Sequence, residues 1–455
     1  MSTFYQKIGA FLRSALKNSR NQVLLVVFAV GFLLLLGCGL LWPHPLGLAD
    51  NHDYWRLSNP FGLYSQSSSP QTFTALELDY VKTTDFRWEE LSTGLVFVGI
   101  AYVLSGIALS TSFSLLLLGF VHCVAYSYAF YRFLKALVPR KLVGVLVLGV
   151  LAVLVLSDSL FTSYFVSFYQ ESAFFIFALL WLGLFLDQKE HFWWELLVLA
   201  GLILSKVSQS IDVVLLVPLL IKYRDQSWGV VKMSAVVLLC PIAILTNFAG
   251  DQTATQPNIY NSFFTGLVSD PDDKYVLGDF GLDAALYARH IGQDFWSGDQ
   301  QDPVLGEFYQ KVDRSSIVGY YVTHPLFFGR KLVDTFVLAT DNVLSDLETR
   351  PVAFVGERSI LVWWQWMLPY LLYLAVPLSL VQAAYFLIKR KLTRSTVLIL
   401  ALTVLVPLQF ITVFLGDGVH ELSKHLAPCY FFFSIWCLVS LQYWWFGRSS
   451  DHKGS

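Results

Sequence analysis

Asp50, Asn51, His52 and Asp53, followed at once by Tyr54, Trp55 and Arg56, sit just past the first long apolar run, residues 21–42. Two carboxylates and an arginine at the mouth of a membrane helix are costly unless they meet water or each other. Ionisable groups at that depth are therefore functional candidates. The chemistry they suit is general base catalysis. One acid deprotonates a hydroxyl, while the second acid or Arg56 holds geometry, and partial desolvation raises the base's pKa toward working pH. The plainer reading is a helix stop capped by Asp50 and Asn51. Such a stop does not require two acids and an arginine against Tyr54 and Trp55.

Further candidates recur along the chain. Glu171 follows the aromatic stretch Ser167-Phe168-Tyr169-Gln170 and is a second acid that could face the same cavity, or simply a negative residue at a helix start. Lys206 and Gln209 lie between two apolar blocks, with Asp212 a little further on. A lysine there can bind a phosphate as a point charge, snorkel to headgroups, or pair with Asp212. His420, Glu421, Lys424 and His425 cluster before the last apolar block, where a lysine beside a histidine at a helix start would make an anion site. His324 and Arg330 are candidates of the same kind. The chain has no HExxH, GxSxG or P-loop pattern, so protease, hydrolase and NTPase readings have no residues to stand on.

The elements that must position these groups are membrane helices. Of 455 residues, 55% are hydrophobic and 14% charged, and the mean hydropathy is +0.57. A soluble domain is about one quarter charged. The apolar residues come in blocks of spanning length. This predicts an all-α polytopic membrane protein. The net charge of −2 provides no basic field for nucleic acid. Cys38, Cys123, Cys240, Cys429 and Cys437 form no CxxC pair and read as small buried hydrophobes.

The expected spans are 22–42, 92–110, 112–137, 141–157, 171–187, 193–206, 207–222, 228–248, 360–387, 394–415 and 424–446. Positive clusters at Lys7–Arg20, Arg132–Lys141, Lys222–Arg224, Lys389–Arg394 and Arg448–Lys453 mark the cytosolic side and place both termini there. Residues 3–20 read as an amphipathic helix. An even number of crossings is then required, and 92–137 is where one of the eleven segments is expected to fail. The polar stretches 43–91, 158–170, 249–359 and 416–424 gather on the other face. Residues 316–339 read as a pair of interfacial helices. The expected units are 1–248, a transmembrane catalytic module with the first outer loop 43–91; 249–359, an extracytoplasmic loop; and 360–455, a C-terminal membrane segment.

Carboxylates for base catalysis, cations for a phosphate and apolar helices for a lipid tail together suit group transfer from a lipid-linked phosphate. The chain resembles GT-C-type integral membrane glycosyltransferases, and among them bacterial cell-wall and S-layer glycan hexose transferases. The resembling residues are Gly47 to Arg56, Ser167 to Glu171, Ser205 to Gln209, Tyr260 to Phe264, Gly281 to Asp283, Gly416 to Gly418 and Lys424 to Leu426. The resemblance implies a GT-C-like bundle of about 10–12 spans. It implies an inverting transfer from a polyprenyl-phosphate sugar to a glycan or lipid-linked acceptor, at the extracytoplasmic face of the plasma (inner) membrane. It further implies that an acid of the first outer loop is the base: Asp50 first, Asp53 close behind, with His52 a further acceptor-site candidate. Lys206, Lys424, His425 and Arg330 would neutralise the departing lipid phosphate. Glu171, Arg56, Gln209, His420 and Glu421 would orient donor or acceptor. No cofactor is required, although the two acids could hold a divalent metal. A transporter of lipid-linked sugars is the rival from another class and predicts inverted repeats, of which the sequence shows none. A glycan polymerase or acyltransferase is the rival within the enzymes.

Overall fold

The computed structural model describes residues 21–41, 45–48, 50, 53–65, 76–88, 90–107, 111–138, 142–189, 191–224, 229–248, 255–341, 363–389 and 393–446. Asn51, His52, the expected helix at 3–20 and the basic residues Arg140, Lys141, Arg390, Lys391, Arg448 and Lys453 lie outside the described residues.

The principal helices are α1 (Asn21–Leu41), α2 (Gly94–Ile107), α3 (Leu115–Leu137), α4 (Leu142–Leu156), α5 (Glu171–Leu186), α6 (Phe192–Ile203), α7 (Val230–Phe248), α8 (Pro325–Asp341), α9 (Trp363–Lys389), α10 (Arg394–Asp417) and α11 (Leu422–Leu441). Among the described residues five are long and apolar enough to cross a membrane: α1, α3, α9, α10, and α11 continued to Phe446. Helix α4 and the short turn Ser159–Phe165, at a 48° bend, make a sixth when the bent pair is counted as one span, against the bundle of about 10–12 that the resemblance implies. The chain is a multi-pass membrane protein. Its outward faces are apolar, with Val23, Val27 and Leu34 on α1, Val143 and Val150 on α4, and Leu374, Leu380 and Val381 on α9 all exposed. Cys38 and Cys240 are likewise exposed rather than buried, while Cys123 and Cys429 are buried as expected.

Four expected spans are corrected. Residues 171–187 and 193–206 form only the 16-residue α5 and the 12-residue α6, both too short to count as spans by length. Residues 92–110 form only the 14-residue α2, followed by a strand. At 1.5 Å per residue, a helix of that length reaches about 21 Å, short of a hydrocarbon core of about 30 Å. Residues 207–222 do not form one helix. Val207–Leu215 is a 3₁₀ stretch and only Leu216–Lys222 is α-helical. Gln209, Ser210 and Asp212 are buried in that stretch. Their polar groups need partners that a lipid-facing α-helix does not offer.

A small antiparallel sheet, absent from the expectation, ties the first outer loop to the bundle. Strand β1 (Leu63–Ser65) pairs with β2 (Asp79–Lys82), and β2 with β3 (Ser112–Ser114), in register Tyr64↔Val81 and Tyr80↔Phe113. β3 runs straight into α3, whose first turn is capped by Ser114 accepting from the Leu116 N–H. The loop therefore cannot drift from the mouth of the bundle.

Helix α5 is the axis of the core. It buries residues on every side, including Phe174, Phe175, Leu179, Trp181 and Phe185, as expected of a helix apolar all round. Asp158, in the second polar stretch, is wholly buried and structural. It accepts from the Leu160 N–H at 2.9 Å and from the Trp364 and Gln365 N–H groups at 2.8 and 3.1 Å, so one carboxylate caps two helix starts. Residues 255–321 form short helices around their own aromatic core of Tyr260, Phe263, Phe264, Tyr287 and Phe308, which packs on Phe414 at the end of α10. The expected pair at 316–339 appears as Arg314–Thr323 and α8.

Gly183 lets α5 approach α3. A Cβ there would meet the Phe133 amide nitrogen at 2.7 Å and the Arg132 carbonyl carbon at 2.9 Å, both backbone. Gly106, on α2, has nothing within 4 Å. Gly183→Ala should therefore destabilise the protein by about 1–3 kcal/mol, whereas Gly106→Ala should not. Thermal unfolding of the two variants in detergent checks this, and equal melting points would contradict it.

Candidate active site

Most of the groups singled out in the sequence meet at one end of the bundle. The first outer loop enters as Leu46-Gly47-Leu48 against Val166, with no room for a side chain at Gly47, where a Cβ would overlap the Val166 carbonyl. It then turns into the helical turn Trp55–Ser58. Asp50 accepts from the Tyr54 N–H at 3.2 Å, the local capping geometry expected of it. Tyr54 is buried, donates to the Leu48 carbonyl, and packs edge-on against Phe168 and Tyr169 at 5.4 and 5.2 Å. An aromatic clamp thus fixes the loop beside the segment that leads into α5.

Asp53 is held by two cations. One oxygen lies 2.7 Å from Arg56 and the other 2.7 Å from the Lys424 ammonium at the start of α11. Arg56 also faces Glu90 at 3.4 Å. Lys424 is matched a second time by Glu421 at 2.9 Å, and its ammonium stands 5.0 Å over the Tyr169 ring. Glu171, buried at the first residue of α5, takes Lys206 at 2.7 Å. The two clusters are electrostatically coupled. Lys206 acts on Asp53, and Lys424 on Glu171. Burial alone would raise the Asp53 carboxyl, but Lys424, Arg56 and Lys206 together hold it well below the usual carboxylate range. Burial likewise opposes ionisation of Glu421, yet Lys424 and His425 bring it down to about 2.

The turn before α11 is shaped by backbone that few residues tolerate. Gly418 has φ 63° and packs so tightly on the Asn261 carbonyl and Gly266 nitrogen that a Cβ would lie 2.7 and 2.8 Å from them. Glu421, at φ 41°, is the non-glycine residue with positive φ among the described residues. His425 reaches Asp417 at 3.2 Å and Glu421 at 3.9 Å, and His420 lies 3.9 Å from Asp294. Asp417 accepts from the Asn261 amide at 2.8 Å, which joins the outer 255–321 unit to the end of α10.

The structure therefore brings together Asp53, Arg56, Glu171, Lys206, Glu421, Lys424 and His425, with Asp50 beside them on the Tyr54 amide. Gln209 lies one turn beyond Lys206 and accepts from Gln409, which also donates to Asp212 at 2.8 Å. Of the alternatives for Lys206, pairing with Asp212 is thus not the one realised; its partner is Glu171. Arg330 is engaged elsewhere, 2.5 Å from Asp273, which also takes Lys331. His324 stacks on Tyr320 at 4.1 Å. Sequence reasoning missed Glu90, Tyr169, Asn261 and Asp417 as partners, although all four stood in stretches already noted. Among the described residues no group of three His, Cys, Asp or Glu side chains is placed to hold a metal ion.

A family model described as the YfdI N-terminal transmembrane domain matches residues 10–340. No curated protein and no solved structure matches the chain. The matched region holds Asp50, Asp53, Arg56, Glu171 and Lys206, while Glu421, Lys424 and His425 come from beyond it.

The lowered Asp53 and Glu421 groups tie stability to pH. Both lose affinity for protons on folding, so their contribution is full above the unfolded carboxylate pKa of about 4. It is lost as pH falls through the folded values, which for Glu421 means a window from about 4.5 to about 2. Glu421→Gln should lower the melting temperature at pH 7 and flatten its decline between pH 5 and pH 3. An unchanged slope would show that the pair with Lys424 carries no such linkage.

Proposed function

Since the chain belongs to the family of the YfdI N-terminal transmembrane domain, a family of GT-C-like membrane glycosyltransferases, we propose that it is an inverting transferase. It moves a sugar from a polyprenyl-phosphate donor to an acceptor hydroxyl on a glycan or lipid-linked acceptor, at the extracytoplasmic face, in cell-surface glycan assembly. The observation that carries this reading is the meeting of Asp53 with Lys424 and of Glu171 with Lys206 at the mouth of apolar helices. An acid pair beside a lysine pair there suits a lipid phosphate leaving group and a hydroxyl nucleophile.

In the proposed reaction the acceptor hydroxyl oxygen attacks the anomeric carbon and gives its proton to a carboxylate. The bond from that carbon to the phosphate oxygen breaks, and the oxygen leaves with the electron pair. Charge thus builds on the lipid phosphate, where Lys206 and Lys424 are aimed to neutralise it. Asp53 is a poor base, because both its oxygens are taken by cations. Asp50, the acid that the resemblance favours by its place in the first outer loop, is assigned as the base. Asp53 is then the residue that holds Lys424 and Arg56 in place. The same reading puts the described site outside the cytosol of the plasma membrane, with both termini inside.

A general base contributes about 10²–10⁴ to rate. Asp50→Asn should therefore cut glycan modification at least about a hundredfold at normal protein abundance. Lys206→Gln should weaken use of the lipid donor with smaller loss at saturating donor. The mass of the cell-surface glycan and the turnover of polyprenyl-phosphate sugars in membranes are the readouts. Full product formation by an abundant, folded Asp50→Asn protein would reject Asp50 as the base.

A further inference from the structure

The opposite end of the bundle carries a second charged site that the transfer chemistry does not use. Helix α5 starts at Glu171 in the candidate active site and ends at Leu186; α10 ends at Asp417 in that site and starts at Arg394. At 1.5 Å per residue these helices span about 24 and 36 Å, so their far ends lie well away from the candidate active site. There a cavity of about 260 Å³ is lined by Lys222, Arg224, Thr393 and Arg394, with Phe185 and Val397 as its apolar wall.

This cavity is built rather than incidental. The Lys222 side chain is 1% exposed and its ammonium is fixed from three sides: Glu195 at 2.6 Å, the Phe185 carbonyl at 2.9 Å and the Leu184 carbonyl at 3.1 Å. Tyr223 steadies the same Glu195 oxygen at 2.8 Å. The Asp187 carboxylate faces Arg132 at 3.6 Å, and the residue's backbone carbonyl accepts from Arg394. Arg394 also opens a 24-residue helix, whose N-terminal N–H groups favour an anion, and Thr393 caps it by accepting from the Thr396 N–H. The Lys222 ammonium is engaged by Glu195 and the two carbonyls and forms the floor. The anion-binding groups that line the space are therefore the Arg224 and Arg394 guanidiniums and the helix start, around a volume wide enough for a tetrahedral anion with water. In sequence Arg390 and Lys391 come just before Thr393. Basic pockets between membrane helices at headgroup level suit anionic lipid phosphates.

We propose that this cavity binds the phosphate group of an anionic phospholipid at the face opposite the transfer site. The lipid anchors α10 and the Leu216–Lys222 helix, and with them the far ends of the struts that carry Asp417 and Glu171. The proposal does not depend on which sugar is moved or on the transfer reading itself.

The test uses the full chain in nanodiscs of phosphatidylcholine alone, or with one fifth phosphatidylglycerol, followed by thermal unfolding. Phosphatidylglycerol should raise the melting temperature of the native protein by several degrees. Most of that rise should vanish in Arg224→Gln/Arg394→Gln and persist in Lys135→Gln, which removes a cation from the last turn of α3. Arg394→Gln loses a contact with Asp187, so Arg224→Gln alone, at an exposed position, serves if the double variant does not fold; it should retain less than half of the rise. A third arm adds inorganic phosphate to phosphatidylcholine discs. An equal rise there would keep the phosphate site and overturn the lipid as its ligand. A rise that is absent in the native protein, or equal in every variant, would overturn the proposal.

Discussion

A nearly buried ammonium, that of Lys424, sets the terms for the rest of the molecule. An unmatched charge at that depth costs several kcal/mol, and removing one partner of a buried pair costs about 3–5 kcal/mol. Lys424 therefore needs carboxylates on both sides. Glu421, three residues away, supplies one. Asp53 supplies the other from 371 residues earlier. That second contact closes the chain on itself at one end of the bundle. Much of the local architecture serves it: the aromatic clamp on Tyr54, the three-stranded sheet, the capped start of α3 and the left-handed turn at Gly418 to Glu421.

The same constraint shapes the chemistry. Opposite charges that neutralise each other in the resting protein are poised to redistribute when an anion enters. A phosphate beside Lys206 and Lys424 competes with Glu171, Asp53 and Glu421 for the same donors. In the proposed transfer the acids of the site act mainly to hold cations ready, and Asp50 takes the proton. At the far end the arrangement is inverted: cations and a helix start dominate around Lys222, Arg224 and Arg394. The struts α5 and α10 join an acid-rich mouth to a basic far end.

The sequence made the class of the protein and most of the site legible, because both rest on local patterns. Apolar blocks of spanning length announce membrane helices, and acids or lysines at their ends announce groups that must find partners. Asp53, Glu171, Lys206 and Lys424 could each be picked out in this way. Their pairing could not, since nothing in the chain near Lys206 says that Glu171 rather than Asp212 is its partner. Arg330 shows the same limit. Its basic context at an expected interfacial helix suited a phosphate, but Asp273, 57 residues away, holds it. The break at 207–215 was hidden because Val207, Ile211, Val213 and Val214 keep the stretch apolar on average, while the buried Gln209 and Asp212 take their contacts from Gln409 on α10. The sheet escaped notice because its strands are three or four residues long and lie far apart along the chain.

The central claim is that Asp53 and Lys424 form one energetic unit. A double-mutant cycle with Asp53→Asn and Lys424→Gln, read by equilibrium unfolding of the protein in nanodiscs, tests it most directly. Close charged partners couple by about 0.5–3 kcal/mol. The account predicts a coupling near the top of that range, with the double variant more stable than the sum of the single losses implies. Strictly additive losses would contradict it.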